Sequence, residues 1–344
     1  MIAVVVVLCL CAAGAAIYLH HVRRLGPAAT SGPPPDLLGQ LPANAPVIAY
    51  VDVAALRKLQ DSQLLTKLGT GGPGVQNDAD YRTFVRGTGF DYTRDLDRAA
   101  IAFWPASLDP TAAGVAEDRT LAIADGRFDA AKIKSYARQS GGKATTQGSR
   151  TVMEVPGTPP VAFEFLSPTR IAIASGTKPA DLLAISTARS RDPAMQAGID
   201  RVAGAPIFAV ARTDDLPASF YAALRNSSQL DKLARSIKGL TLAGKPDGDN
   251  LEVALDAESD SMKNAFEIAT LLSGGRLFAS MALADPRNRR QMTAEQAAFL
   301  SALASQTKIS HDKNWVRLSL ALTPEMLGAA RSSPSSLPGS YAQH

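Results

Sequence analysis

Polar and apolar positions alternate most plainly late in the chain, where Leu251, Val253 and Leu255 are interleaved with Glu252 and Asp256. Val316, Leu318, Leu320 and Leu322 repeat the pattern against Arg317 and Ser319. A period of two predicts antiparallel strands with one buried face. Nearer the start, the period changes within a single stretch. Pro46 can take the first strand position, where no ladder donor is needed, and the β-branched and aromatic run from Val47 to Val53 predicts a strand. Leu56, Leu59, Leu65 and Leu68 then fall near one face of a helix ending at Gly69. Gly204-Ala-Pro-Ile-Phe-Ala-Val210 repeats this opening and leads through Thr213-Asp-Asp into a helix-compatible segment reaching Leu224.

Between and after these openings the pattern gives four hairpin-then-helix units. The first pairs Ala99–Trp104 with Thr120–Ala124, followed by a helix capped by Asp129 and carrying Ile133, Tyr136 and Ala137. The second pairs Val161–Phe165 with Arg170–Ala174 across Ser167-Pro168, with a helix near Ala180 to Ala188. In the third, Lys238–Gly244 and Asn250–Ala257 flank the turn Lys245-Pro-Asp-Gly-Asp249, before a helix from Ser261 to Leu272. The fourth pairs Lys308–Ser310 with Trp315–Leu322 across His311–Asn314, and Thr323-Pro-Glu325 starts a short helix. Thr293 and Gln296 have capping-box spacing and predict a further helix from Ala294 to Ala304. The expectation is an α+β fold of two related halves, residues 41–200 and 201–330. Each half is β-α followed by two β-β-α units, in an antiparallel or mixed sheet with helices on one face.

The ends differ from this body. Ile2 to Leu19 is an uncharged apolar run of 18 residues, about the least that spans a bilayer, and within residues 1–24 it predicts an N-terminal membrane anchor. The alternative is a cleaved signal peptide, with Ala13-Gly14-Ala15 as the small-residue site. Residues 25–40, with Gly26-Pro27 and Pro33-Pro-Pro35, are expected to be a Pro-rich spacer that buries nothing, and residues 331–344 a disordered tail. Arg23 and Arg24 would favour a cytoplasmic body by the positive-inside rule. A cysteine-free body behind an apolar segment and a spacer favours export. The expected place is the bacterial inner membrane, single-pass, with the body on the periplasmic side.

Composition narrows the chemistry. The net charge is only +4 and the basic residues are interspersed with acidic ones, so nucleic acid is not an expected partner. Both cysteines, Cys9 and Cys11, fall in the apolar run, and His311 is the one histidine of the body. A thiol nucleophile, a disulfide and a multi-histidine metal site are thereby excluded from the body, and no cofactor motif stands out.

Two features are candidate contact surfaces. In the strands of the first half, Ala100, Ala102, Ala122, Ala124, Ala172 and Ala174 stand opposite larger apolar neighbours. They predict a smooth, nearly uncharged face that either packs within the protein or docks another chain. Arg287, Arg289 and Arg290 form the densest basic cluster, a candidate contact for an anionic group, or else a solvated loop. Four other stretches read as structural. Gly69–Gly74 lacks the Lys-Ser/Thr of a phosphate loop, and Asp91, Asp95 and Asp97 lack calcium-loop spacing. Asp214 and Asp215 sit where a helix cap belongs, and His311 falls in a turn.

Leu41-Pro-Ala-Asn-Ala-Pro46 running into a strand and Leu56-Arg57, with Thr88-Gly-Phe-Asp91 and Arg94-Asp-Leu-Asp97 before a second strand, resembles a class of uncharacterised membrane-anchored bacterial envelope proteins of unknown function. The resemblance covers mainly residues 41–103. It implies an exported domain and brings no catalytic residues. The expected function is a non-enzymatic binding or scaffold module, held to the membrane through residues 2–19, with an envelope protein as partner. The alternatives are a carrier with a lipid or small-molecule cleft between the halves, and a carboxylate-dependent hydrolase.

Overall fold

β1 (Val47–Asp52) and β8 (Ile207–Arg212), more than a hundred residues apart, lie side by side in the middle of one 12-stranded sheet. The structure is a computed structural model. It describes residues 35–57, 79–106, 118–148, 150–176, 182, 191–216, 228–247, 250–289, 292–323 and 326. The anchor at 2–19, the glycine-rich loop at 69–74, most of the helix expected near 180–188, most of the helix expected from Thr323 and the tail from 331 lie outside the described residues; Thr323 Oγ1 accepts from the Met326 amide at 3.4 Å.

On one side of the central pair run β2 (Leu96–Trp104), β3 (Arg119–Gly126), β7 (Arg170–Ser175), β6 (Val161–Ser167), β5 (Arg150–Val155) and β4 (Lys143–Gln147). On the other run β9 (Ile237–Asp247), β10 (Asn250–Ser259), β12 (Trp315–Leu322) and β11 (Lys308–Asp312). Each pairing among the described strands is antiparallel.

This overturns the expected two related halves with helices on one face. The two strand runs close on each other through a full ladder, Val47 opposite Ala211 through Val51 opposite Ile207. The seam also lies inside the core. Tyr50 faces Phe208 across it, both have no solvent exposure, and their rings stack at 5.2 Å. Such an aromatic pair adds roughly 0.5–1.5 kcal/mol beyond the area it buries.

Helices cover both faces. Over the first face lie α1 (Pro35–Gly39) and α6 (Pro193–Arg201), whose Leu37, Leu38, Met195 and Ile199 pack on Ile48, Tyr50, Ala100, Ala102, Phe208 and Val210. Leu37 and Leu38 therefore correct the expected spacer, because its last residues cap the core. Over the opposite face lie α2 (Val53–Arg57), α3 (Ala79–Thr88), α4 (Tyr92–Asp95) and α5 (Ala130–Gln139), packed with Val51, Ala99, Ala124, Phe163 and Ile171.

On the C-terminal side, α7 (Ser228–Arg235), α8 (Met262–Ala284), α9 (Pro286–Arg289) and α10 (Ala294–Gln306) follow. Leu233 from α7 and Ala265, Ile268 and Ala269 from α8 enclose Val316 in a separate small core. α8 runs well past the expected end at Leu272. Thr293 and Gln296 form both bonds of the predicted capping box at the start of α10.

Candidate functional site

A concave feature lies on the opposite face, between the sheet and α5. Asp129 caps α5 by accepting from the Lys132 amide at 3.0 Å, which sets Ile133 and Ala137 one turn apart towards the strands. The floor is β6 and β7: Val161, Phe163, Ile171 and Ile173. Phe84 from α3, with Phe90 and Phe128, closes one side, and Tyr136, Ser140 and Val155 line the other. The enclosed volume is about 240 Å³, and the surface it presents is apolar throughout. An apolar cavity of about 150 Å³ is enough to admit benzene.

The walls are a chain of touching rings. Phe84 meets Tyr136 edge-on at 5.6 Å and Phe90 at 6.3 Å; Phe90 stacks on Phe128 at 5.1 Å, and Phe128 meets Phe165 at 6.1 Å. Gly87 makes the first contact achievable: a Cβ there would come within 2.4 Å of the Tyr136 ring, so only glycine lets α3 approach α5 so closely. Val161, at the rim, is 36% exposed.

Charge is gathered on the first face instead. The register sets Asp52 opposite Arg98, Arg98 opposite Asp125 and Asp125 opposite Arg170, a row of alternating sign across four strands. Arg170 donates to both Asp125 oxygens at 2.6 and 3.0 Å. Arg150 grips Glu164 at 2.7 Å through two nitrogens and also donates to the Leu182 carbonyl. Asp52 accepts from the Ala55 amide at 2.8 Å at the start of α2. Beside it, burial pushes the Tyr50 hydroxyl up, and the Asp52 carboxylate adds to that.

Asp256 is buried between Arg317, at 2.7 Å, and Arg201, at 2.9 Å. Burial alone would raise its pKa, but hydrogen bonds from the two guanidiniums hold it below the usual carboxylate range. Asp95 follows the same logic with Arg94 and Arg127. These carboxylates face cations, which suits them to holding strands in register and leaves them ionised. A hydrolytic pair needs one carboxyl that keeps its proton.

The sequence-predicted candidates fall elsewhere. The six alanines do not share a face. Ala100 lies opposite Ile123 and Ala102 opposite Leu121, while Ala122 lies opposite Ile173, so antiparallel pairing sends Ala122 and Ala124 to the other side from Ala100, Ala102, Ala172 and Ala174. All six are buried, at 0–6% exposure, so of the two readings given to them they pack within the protein, on both faces of the sheet. Arg287 is exposed in α9, its amide bonded to Asp285; the Arg289 side chain and Arg290 lie outside the described residues.

Asp91 caps α4 and accepts from Thr93 and from the Tyr81 hydroxyl. Asp97 lies 3.9 Å from Arg127. Among the described residues no group of His, Cys, Asp and Glu could hold a metal. Asp214 pairs with Lys238 at 3.4 Å, while the Asp215 side chain and the helix expected after it lie outside the described residues. His311 belongs to β11 and meets Phe266 edge-on at 5.5 Å. The cavity itself escaped the sequence reading. Its rings come from separate strands, helices and loops, and the clustering of Phe84, Phe90, Phe128, Phe163 and Phe165 within about eighty residues was the one signal available.

No family model and no curated protein matches the chain. Similar solved structures are crystal forms of TP0453. Form III has 15% identity and a TM-score of 0.48, covering 87% of this chain and 98% of that one. Form IV has 14% identity and 0.47 over 87% and 97%, and form I has 14% and 0.45 over 86% and 96%.

Proposed function

We propose that this protein is a non-enzymatic binding protein of the bacterial cell envelope, held to the membrane through residues 2–19, that takes an apolar ligand into the cavity beneath α5. The observation that carries the reading is the cavity: about 240 Å³, apolar throughout and walled by aromatic rings. Ligand pockets are mostly apolar and largely preformed, and this one falls just below their usual range of roughly 300–1,000 Å³. It suits an aromatic ring or a medium-length acyl chain. The ligand cleft of the carrier alternative was expected between two halves; this cavity is lined by α3, α5, β5 to β7 and the loop residues Phe90 and Phe128. The tether rests on the apolar run, since among the described residues no helix is long and apolar enough to cross a membrane.

The test is calorimetric titration of the full chain in bilayer nanodiscs with octanoate and with indole, against empty nanodiscs. Ala137→Phe fills the cavity from α5, and Val161→Glu puts a charge at its rim. Saturable binding that weakens at least tenfold in both variants, with the fold retained, supports the reading. Absence of binding by the unaltered chain, or equal binding by all three, removes it.

A further inference from the structure

α8 is 23 residues long and breaks the usual division of a surface helix into one apolar and one polar side. Its inner side, Ala265, Ile268 and Ala269, is packed in the C-terminal core. Its outer side is also apolar. Met262, Phe266, Leu277, Phe278 and Met281 are 53–67% exposed and Leu271 38%. At 100° per residue these six spread over half the circumference, away from the buried stripe.

We propose that this outer side of α8 is a self-association surface, on which a second copy of the chain packs its own α8 antiparallel, centred on Gly274. Three observations select a second copy as the occupant. The first is area: at roughly 150–250 Å² per large side chain, the exposed fractions of the six leave about 500–850 Å² open per copy. Two copies packed on this side can hide at most about 1,000–1,700 Å², within the range of a specific interface. The second is the seam. Thr270, Gly274, Leu277 and Met281 follow the four-three spacing that keeps one line of a helix against its partner, small at its centre and apolar towards its C-terminal end, while Lys263 and Glu267 continue it as a charged N-terminal end. Glycine is unfavourable inside an exposed helix, yet Gly274 sits at the centre of this line with open space where a Cβ would be. It gives the partner backbone room to approach.

The third observation is charge complementarity. An antiparallel pair centred on residue 274 sets residue i against 548 minus i, so Leu271 meets Leu277 and Lys263 meets Asp285 of the other copy. Lys263 and Asp285 are exposed at opposite ends of the helix, Lys263 lying 3.9 Å from Glu267 of its own chain with its ammonium still open to a second carboxylate, and each pair of copies therefore carries two such contacts. A lipid surface fits less well. Helices lying on anionic membranes carry Lys and Arg along the border of the apolar side. The cations of α8 are Lys263 and Arg276, and Arg276 donates to the Thr307 carbonyl at 3.1 Å.

The experiment is cysteine cross-linking of the full chain in cell membranes, in a Cys9→Ser, Cys11→Ser background, with a short bismaleimide. Gly274→Cys is expected to give a dimer band at least tenfold stronger than Lys263→Cys, because the two copies of residue 263 lie at opposite ends of the pair. Co-expressed Thr270→Cys and Phe278→Cys copies, which keep Gly274, are expected to cross-link to each other. Adding Leu277→Glu with Phe278→Glu to the Gly274→Cys chain is expected to remove its band with an unchanged urea midpoint. Monomer throughout, or equal bands from residues 263 and 274, overturns the proposal. So does a Gly274→Cys chain that stays monomeric while phosphatidylcholine and phosphatidylglycerol vesicles shield residue 274 from a water-soluble maleimide; that result would make the surface a lipid contact.

Discussion

Arg201 of α6 reaches across 55 positions of sequence to place its Nε 2.9 Å from Asp256 of β10, while its guanidinium lies 4.2 Å over the Trp315 ring of β12. One side chain therefore ties a first-face helix to two strands of the C-terminal side. The carboxylate at its centre is 3% exposed, so its charge is sustained by the two arginines and by little water.

Replacing Asp256 by Asn is expected to cost about 2–4 kcal/mol, since two cations lose their partner in a buried setting, though Arg317 is partly hydrated. The urea midpoint measures it. Asp256 is held below its unfolded value of about 3.9, so its contribution is complete above that value and fades as pH falls through the folded pKa. The Asp256→Asn and parent stabilities should converge in acid. A constant gap down to pH 2 would mean that the ion pairs do not carry the effect.

Asp97 should behave in the opposite sense. Burial raises its pKa, with Arg127 and Arg57 offsetting only part. Its folded form gains proton affinity, so protonation on lowering the pH favours the fold. Asp97→Asn is expected to be neutral or mildly stabilising at pH 7, within about 1 kcal/mol. A loss of more than 2 kcal/mol by thermal or urea unfolding would contradict this.

Ala102→Glu separates an exposed face from a core position. Ala102 has no exposure and packs with the α1 and α6 side chains, so a carboxylate there has neither room nor partner. We expect loss of more than about 4 kcal/mol, or failure to fold. Circular dichroism and soluble yield report the outcome; a native spectrum with an unchanged midpoint would return Ala102 to the surface.

Gly87→Ala tests how the cavity wall is built. The new methyl would overlap the Tyr136 ring and force α3 and α5 apart, at about 1–3 kcal/mol. Octanoate and indole binding should weaken in step, because Phe84 and Tyr136 are both wall residues. Unchanged binding with unchanged stability would show that the two helices yield freely.

Where the sequence carried local chemistry, the structure followed it. Asp129 caps α5, Thr293 and Gln296 close their box, and Leu251 to Leu255 pair with Leu318 to Leu322 as alternation predicts. β4 and β5 were missed, since Lys143-Ala-Thr-Thr-Gln147 is polar and its strand form depends on pairing with Arg150–Val155. α6 was missed despite Asp192 before Pro193, a cap with a proline at the first helical position. α8 was expected to end at Leu272, yet it continues through Gly274-Gly275 to Ala284 and packs on α10. The alanine face failed for a different reason. Alternation within one strand tells which residues share a side, but only register tells which side the next strand shares with it.

The meeting of β1 with β8 also sets a schedule. β1 needs β2, about fifty residues later, on one edge, and β8, about 160 residues later, on the other. As the chain emerges, Val47–Asp52 is made early and must wait with one hydrogen-bonding edge open until Ile207–Arg212 arrives. Distant pairings of this kind slow folding, because loop closure comes before the contacts that reward it. Completion of the central seam is therefore expected to be the late, rate-setting event, and Tyr50 and Phe208 the last aromatic pair to lose contact with water.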